Sequence, residues 1–92
     1  MKDNGVLHGI LMAKWRLTDR GQELVFAEYT ANIITDGDTY YGTLVFPNSN
    51  EVSLNNDSVT ELANLLVGLL ITDYMKMLSE IIEFPANING VE

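Results

Sequence analysis

The first half of the chain alternates between apolar and polar residues. In residues 7–17 the odd positions are Leu, Gly, Leu, Ala, Trp and Leu, whereas the even positions include His8, Lys14 and Arg16. A period of two is typical of a β-strand with one buried face. Because residues 18–21 (TDRG) predict a tight turn, we expect residues 7–17 to form an edge strand of an antiparallel sheet.

Further alternating segments follow this turn. Residues 22–35 carry apolar residues at odd positions from Val25 to Ile33, and Asp36-Gly37 predicts a two-residue hairpin turn before a strand over 38–47. When the strands are paired around both turns, inward residues meet inward residues. Residues 51–55 predict a short fourth strand with Val52 and Leu54 facing inward.

A long helix is predicted after the strands. Residues 58–61 (SVTE) form a capping box, and no proline occurs between them and about residue 82. Phe84-Pro85 is expected to end the helix. The predicted fold is therefore α+β, a four-stranded antiparallel β-meander followed by one long C-terminal α-helix packed on one face (ββββα). We expect residues 1–84 to form a single domain and residues 85–92 a flexible C-terminal tail.

The stretch LANLLVGLLI, residues 62–71, is nearly all apolar. A membrane span needs about 20 such residues, and polar and charged residues interrupt the longer stretch between Val59 and Phe84, so we expect no membrane partner. One broad side of the helix can cover the sheet. Leu62, Leu65, Gly68 and Leu69 fall instead among the polar residues. Either a loop or tail of the same chain covers them, or they form a homodimer interface, which we favour.

The second face of the predicted sheet is also partly apolar. Such outer faces are common, and they also serve as recognition surfaces because Phe, Tyr and Met are enriched at interfaces. In the predicted register, the apolar residues that point away from the helix include Ile10, Met12, Phe26, Tyr41 and Val45.

Charge narrows the range of partners. The net charge is −8, with thirteen acids against five bases, and Lys76 is the one base after residue 42. An acidic surface repels phosphate and anionic lipid, so we expect no direct nucleic-acid binding; it attracts a basic protein surface. We expect that partner to bind six acids of the fourth strand, the helix cap and the polar side of the helix: Glu51, Asp57, Glu61, Asp73, Glu80 and Glu83.

The chain offers few residues for catalysis or metal binding. It has no cysteine and one histidine, His8, and its serines lack a histidine nearby in the predicted fold. We therefore expect no catalytic residues, no metal site and no cofactor, and no enzyme activity. No targeting segment is evident at the start, so we expect a cytoplasmic protein.

Small size, acidity, the lack of cysteine and a short sheet with a helix together resemble the small phage-encoded inhibitors of host defence nucleases, including anti-CRISPR proteins. The resemblance covers the whole chain but rests on no motif, so it assigns no residue a role. It implies a viral protein in the host cytoplasm that binds a nucleic-acid-binding defence protein. Two alternatives stay open: a homo-oligomeric structural or adaptor protein, and a sponge that binds a small ligand near His8, Tyr40 and Tyr41.

Overall fold

The computed structural model describes the backbone of residues 2–90 and the side chains of residues 5–80. Five antiparallel strands form one sheet in the order β1-β2-β3-β4-β5, and the long C-terminal helix packs on it. The predicted α+β class, with an antiparallel sheet followed by a long helix, is confirmed. The elements are α1 (Lys2–Ala13), β1 (Arg16–Leu17), β2 (Gly21–Phe26), β3 (Tyr29–Thr35), β4 (Tyr40–Val45), β5 (Glu51–Asn56) and α2 (Val59–Gly90).

The N-terminal segment is a helix, so the prediction of a strand over 7–17 is wrong except at Arg16–Leu17. Leu7 and Leu11 fit the period of two, but together with Val6 and Ile10 they also have helical spacing. Helix α1 packs against α2, and Leu11 is fully buried between them and the sheet. The full burial of Leu11 and the partial burial of Leu7 outweigh the low helix propensity of the two glycines in α1.

Residues 22–35, predicted as one strand, are divided into β2 and β3 by a tight turn. Ala27 in this turn has a φ of 54°, a left-handed conformation. The turn pairs Leu24 with Ala31 and Phe26 with Tyr29, so even positions of β2 share a face with odd positions of β3. Leu24 is therefore buried, whereas Val25, predicted inward, is 53% exposed.

The β3–β4 hairpin has a longer loop than predicted. Thr35 pairs with Tyr40, and Asp36 accepts hydrogen bonds at Oδ1 from the N–H groups of Asp38 and Thr39, each 2.9 Å long. These bonds, with that from Thr39 the stronger influence, lower the pKa of Asp36. The register differs from the predicted one by two residues. A shift of two keeps every side chain on its predicted face, so Ala31, for example, faces the helices.

The contact between α2 and the sheet forms the centre of the core. Ser58 caps the helix, since its Oγ accepts a hydrogen bond of 3.2 Å from the N–H of Glu61. Gly42 lets the helix lie close, because a Cβ there would be 2.7 Å from Cδ1 of Leu66 and 3.2 Å from the methyl groups of Leu62. Both leucines are fully buried, and each such burial stabilises the fold by about 1.5–3 kcal/mol.

Helix α2 extends to Gly90, past the proline at which it was predicted to end. Within the predicted tail, residues 85–92, the side chains and the last two residues lie outside the described part of the chain. The division into a domain and a tail therefore stays a prediction.

Candidate functional site

An apolar groove lies between the edge strand β5 and helix α2. Leu54 points toward the helix side of the sheet, and Leu65 and Leu69 on α2 remain 45% and 39% exposed. The cavity has a volume of about 460 Å³ and is open to solvent. We call it the β5–α2 groove; its lining residues are Leu54, Asn64, Leu65, Gly68, Leu69 and Thr72.

Strand β5 ends the sheet, so one side of its backbone has no strand beside it within the described residues. The N–H of Phe46 donates to the carbonyl of Asn50 over 2.8 Å, which makes this facing pair hydrogen-bonded. Hydrogen-bonded and non-hydrogen-bonded pairs alternate in an antiparallel ladder. The backbone N–H and C=O groups of Glu51, Ser53 and Asn55 therefore point away from β4, toward the open side of β5.

Gly68 lies in the wall of the groove, and the fold itself gives no packing reason for a glycine there. A Cβ at this position would meet no atom of the described residues within 4 Å, whereas one at Gly42 would collide with α2 side chains. A glycine in a helix costs about 1 kcal/mol relative to alanine. Thr72 Oγ1 donates a hydrogen bond of 2.8 Å to the carbonyl of Gly68. The glycine thus widens the groove at a cost in helix stability.

Three carboxylates lie near the two ends of β5. Glu51 begins β5, Asp57 follows its last residue, and Glu61 lies in the first turn of α2; all three are exposed. We call these three residues the acidic edge. Glu51 and Asp57 are about 20 Å apart for an extended strand of this length. The acidic edge thus places negative charge at both ends of β5, although the Glu51 side chain lies on the face opposite the groove, because Glu51 pairs with Val45.

The described basic side chains lie mainly at the other edge of the sheet. Lys14 and Arg20 are exposed next to β1, and Arg16 on β1 forms a salt bridge of 3.0 Å with Glu23 of β2. Strand β1 is four strand spacings, about 19 Å, from β5. Asp19 and Glu23 offset two of these three cations, so the β1 edge is close to neutral, whereas the β5 edge is acidic.

The other predicted partner-binding acids are arranged differently. The phenol of Tyr29 donates a hydrogen bond of 2.5 Å to Asp73 Oδ2, so this carboxylate ties α2 to β3. Burial of the phenol, then this hydrogen bond and the charge of Asp73, raise the pKa of Tyr29. Asp73 and Glu80 share a separate cavity with Lys76, which interrupts the predicted row of negative charge. The Glu83 side chain lies outside the described residues.

The predicted oligomer interface requires one correction. Leu62 is fully buried against the sheet, because α2 lies close enough over Gly42 to cover a wider arc of the helix than expected. Leu65, Gly68 and Leu69 remain exposed and lie together in the β5–α2 groove. The unpartnered stripe is thus narrower than predicted and adjoins the strand edge.

The predicted outer face of the sheet is correct for Tyr41 and Val45 only. Both lie on the face opposite the helices, where Tyr41 is 42% exposed. Ile10 and Met12 belong to α1, since their segment is helical. Phe26 lies on the inner face and packs edge-on against Tyr74 of α2, with ring centroids 5.2 Å apart, because the turn after it reverses the predicted face of β2.

Among residues whose side chains are described, no group of three or more His, Asp or Glu residues is close enough to hold a metal ion. His8 lies on α1, away from the groove lining. Tyr40 points toward the helices, whereas Tyr41 points toward the outer face of the sheet. The two tyrosines therefore do not line one common site for a small ligand.

Residues Val59–Glu80 of α2 are long and apolar enough, by length and composition alone, to cross a membrane. The core helix of a soluble protein meets the same criterion. In α2 the apolar residues Leu62, Leu66 and Leu70 are fully buried in the core. Packing on the sheet therefore accounts for much of the apolar character of this helix.

Comparisons with protein-family models, curated proteins and solved structures find no match. The function is therefore inferred from the groove, the open strand and the distribution of charge.

Proposed function

We propose that the protein is a non-catalytic binding module whose acidic surface docks on a basic surface of another protein. The observation that carries this proposal is the uneven distribution of acidic charge across the sheet. The acidic edge has three exposed carboxylates, whereas at the opposite edge Asp19 and Glu23 offset two of the three cations Lys14, Arg16 and Arg20. Such a field speeds the encounter with a basic protein and sets its orientation.

The partner class that we propose is a nucleic-acid-binding defence protein of a host cell, with this chain as a phage-type, anti-CRISPR-like inhibitor in the host cytoplasm. Proteins that bind nucleic acid have basic grooves that neutralise phosphate, and an acidic protein competes for the same groove. Because Asp73 accepts a hydrogen bond from Tyr29 and Lys76 lines the same cavity as Glu80, binding centres on the acidic edge rather than along the whole helix.

The test uses purified RNA-guided nucleases loaded with guide RNA, with the Kd measured by interferometry over a series of salt concentrations. We expect the affinity to weaken at least about tenfold between 50 and 200 mM salt. We also expect that target DNA, when it is bound to the nuclease first, prevents binding of this protein. Binding that does not change with salt, or no binding across the panel, would contradict the proposal.

Two double charge-swap variants distinguish the effect of where the acidic residues lie from the effect of the net charge. Glu51→Lys with Glu61→Lys alters the acidic edge, and Asp19→Lys with Glu28→Lys alters exposed acids elsewhere. Both variants change the net charge from −8 to −4, because each replaces two negative charges by two positive ones. We expect the first pair to abolish binding and the second to weaken it slightly. Equal losses would show that only the net charge matters.

A second candidate function is a homo-oligomeric structural or adaptor protein. The exposure of Leu65 and Leu69 favours it, since apolar side chains next to each other on a surface often mark a contact. Multi-angle light scattering at several concentrations tests it. A mass of 10.3 kDa at every concentration would rule out self-association.

A further inference from the structure

We propose that the partner binds by strand addition: an extended segment with alternating apolar residues and basic ends pairs with β5 and places its apolar side chains in the β5–α2 groove. This inference rests on the proposed function and specifies its binding mode. The occupant is a basic protein segment, not a second copy of this chain.

The backbone of β5 is available for pairing. An unpaired strand edge offers a row of donors and acceptors to another strand, and natural proteins block such edges with short strands, proline, lysine or bulges. Strand β1, the other edge, has two residues. Strand β5 has six residues in regular register with β4, and its sequence, EVSLNN, contains no proline and no lysine. Of the two edge strands in the described part of the chain, β5 is therefore the one long and regular enough to take another strand.

The groove fits the side chains of such a segment. A strand next to β5 lies about 4.8 Å from it, and alternate side chains point to the same face. Those on the helix side would lie beside Leu54 and reach Leu65 and Leu69 on α2. The missing side chain at Gly68 leaves room for them, which accounts for a glycine that the fold of the chain does not need.

Charge selects the occupant. The acidic edge places Glu51 at one end of β5 and Asp57 and Glu61 at the other, so an added segment with lysine or arginine near both ends matches it. A second copy paired through the same strand would bring two sets of these carboxylates to one interface. Like charges at such short range disfavour this pairing.

The probe is an acetylated and amidated peptide of about nine residues, long enough to span β5, with valine alternating with threonine between terminal lysines. We expect it to bind the full chain and to slow hydrogen exchange of the outward amides of Glu51, Ser53 and Asn55. The same peptide with glutamate in place of lysine, or with a central proline, is expected to bind at least about tenfold more weakly. No binding of the lysine peptide at millimolar concentration, or binding without protection of these amides, would overturn the proposal.

Two variants of the protein test the backbone and the groove separately. Ser53→Pro removes an N–H that points away from β4, so the existing ladder keeps its bonds, and Ser53→Ala is its control. Gly68→Leu fills the groove, and Gly9→Leu, at a helical glycine of α1 with equally open space, is its control. We expect about tenfold weaker peptide binding for each groove or edge variant and unchanged binding for each control.

The outcomes separate this inference from the proposed function. Suppose that a nuclease binds in a salt-dependent way and that the Glu51→Lys, Glu61→Lys variant abolishes this binding. If Ser53→Pro and Gly68→Leu leave the same binding unchanged, strand addition is wrong and the proposed function is still supported. A dimer of this chain that Ser53→Pro dissociates would show that the occupant is a second copy, which overturns the inference of a basic segment.

Discussion

Leu62 and Leu65 provide the sharpest test of the arrangement of α2, because they are one turn apart on the same helix and differ in burial. Leu62 is fully buried, and Leu65 is 45% exposed. If the helix lies as described, truncating the first residue to alanine removes core contacts, whereas truncating the second removes part of a groove wall.

The expected magnitudes differ by a factor of about three. Leu62→Ala leaves a cavity over Gly42 and beside Leu66. Truncating a fully buried leucine to alanine lowers the unfolding free energy by about 2–5 kcal/mol. For Leu65→Ala roughly half of the full-burial value applies, about 1 kcal/mol. For a domain of this size, a loss of about 3 kcal/mol lowers the Tm by roughly 10–25 °C.

The assay is urea unfolding followed by circular dichroism, at several protein concentrations. A loss for Leu65→Ala as large as that for Leu62→Ala, independent of concentration, would refute the burial assigned to the two residues. A loss for Leu65→Ala that grows with protein concentration would instead indicate that another copy covers the groove.

Three further predictions concern the core and the titrating groups. Gly42→Val should lower the unfolding free energy by about 1–3 kcal/mol, measured by urea unfolding, because even its Cβ would lie 2.7 Å from Leu66; unchanged stability would contradict this close approach. Tyr29→Phe removes the hydrogen bond to Asp73 and should cost about 1–2 kcal/mol near pH 7. Since the folded pKa of Tyr29 is raised, its contribution is full below the unfolded value of about 10 and is lost as pH rises through the folded value, so thermal unfolding between pH 9 and 11 should show a shallower decline in the variant. The lowered pKa of Asp36 acts in the opposite direction: its contribution is present above about pH 4 and is lost as pH falls through the folded value, and Asp36→Asn should reduce this acid-dependent decline in Tm.

Sequence reasoning succeeded where one signal was stronger than its alternatives. The capping serine, the long apolar period after it and the turn residues at 36–37 each act within a few residues, so they predicted α2 and the β3–β4 hairpin. The same reasoning failed for α1, where Leu7 and Leu11 fit both a strand and a helix. Local spacing does not decide between a strand period of two and a helix period of 3.6 residues. Packing of the segment against α2 decides in favour of the helix.

The candidate site was only partly predictable for a similar reason. The exposed positions of Leu65, Gly68 and Leu69 follow from helical spacing, and the acidic edge follows from composition. The burial of Leu62 depends on how closely α2 approaches the sheet, and that distance depends on Gly42, a residue twenty positions away in the chain. The predicted meander already places its last strand at an edge of the sheet, but which backbone groups of β5 point outward became evident only from the hydrogen bond between Phe46 and Asn50.

The sequence by itself determined the class of fold, the strong negative charge and the presence of a helix with more apolar surface than one face needs, since each depends on composition or on short-range spacing. The tertiary structure alone decided which apolar residues are covered and that the rest lie beside an open strand. The physical reason is that burial and strand pairing join residues far apart in the chain, and a shift of one residue in register or one turn of a helix exchanges the buried side chains for exposed ones.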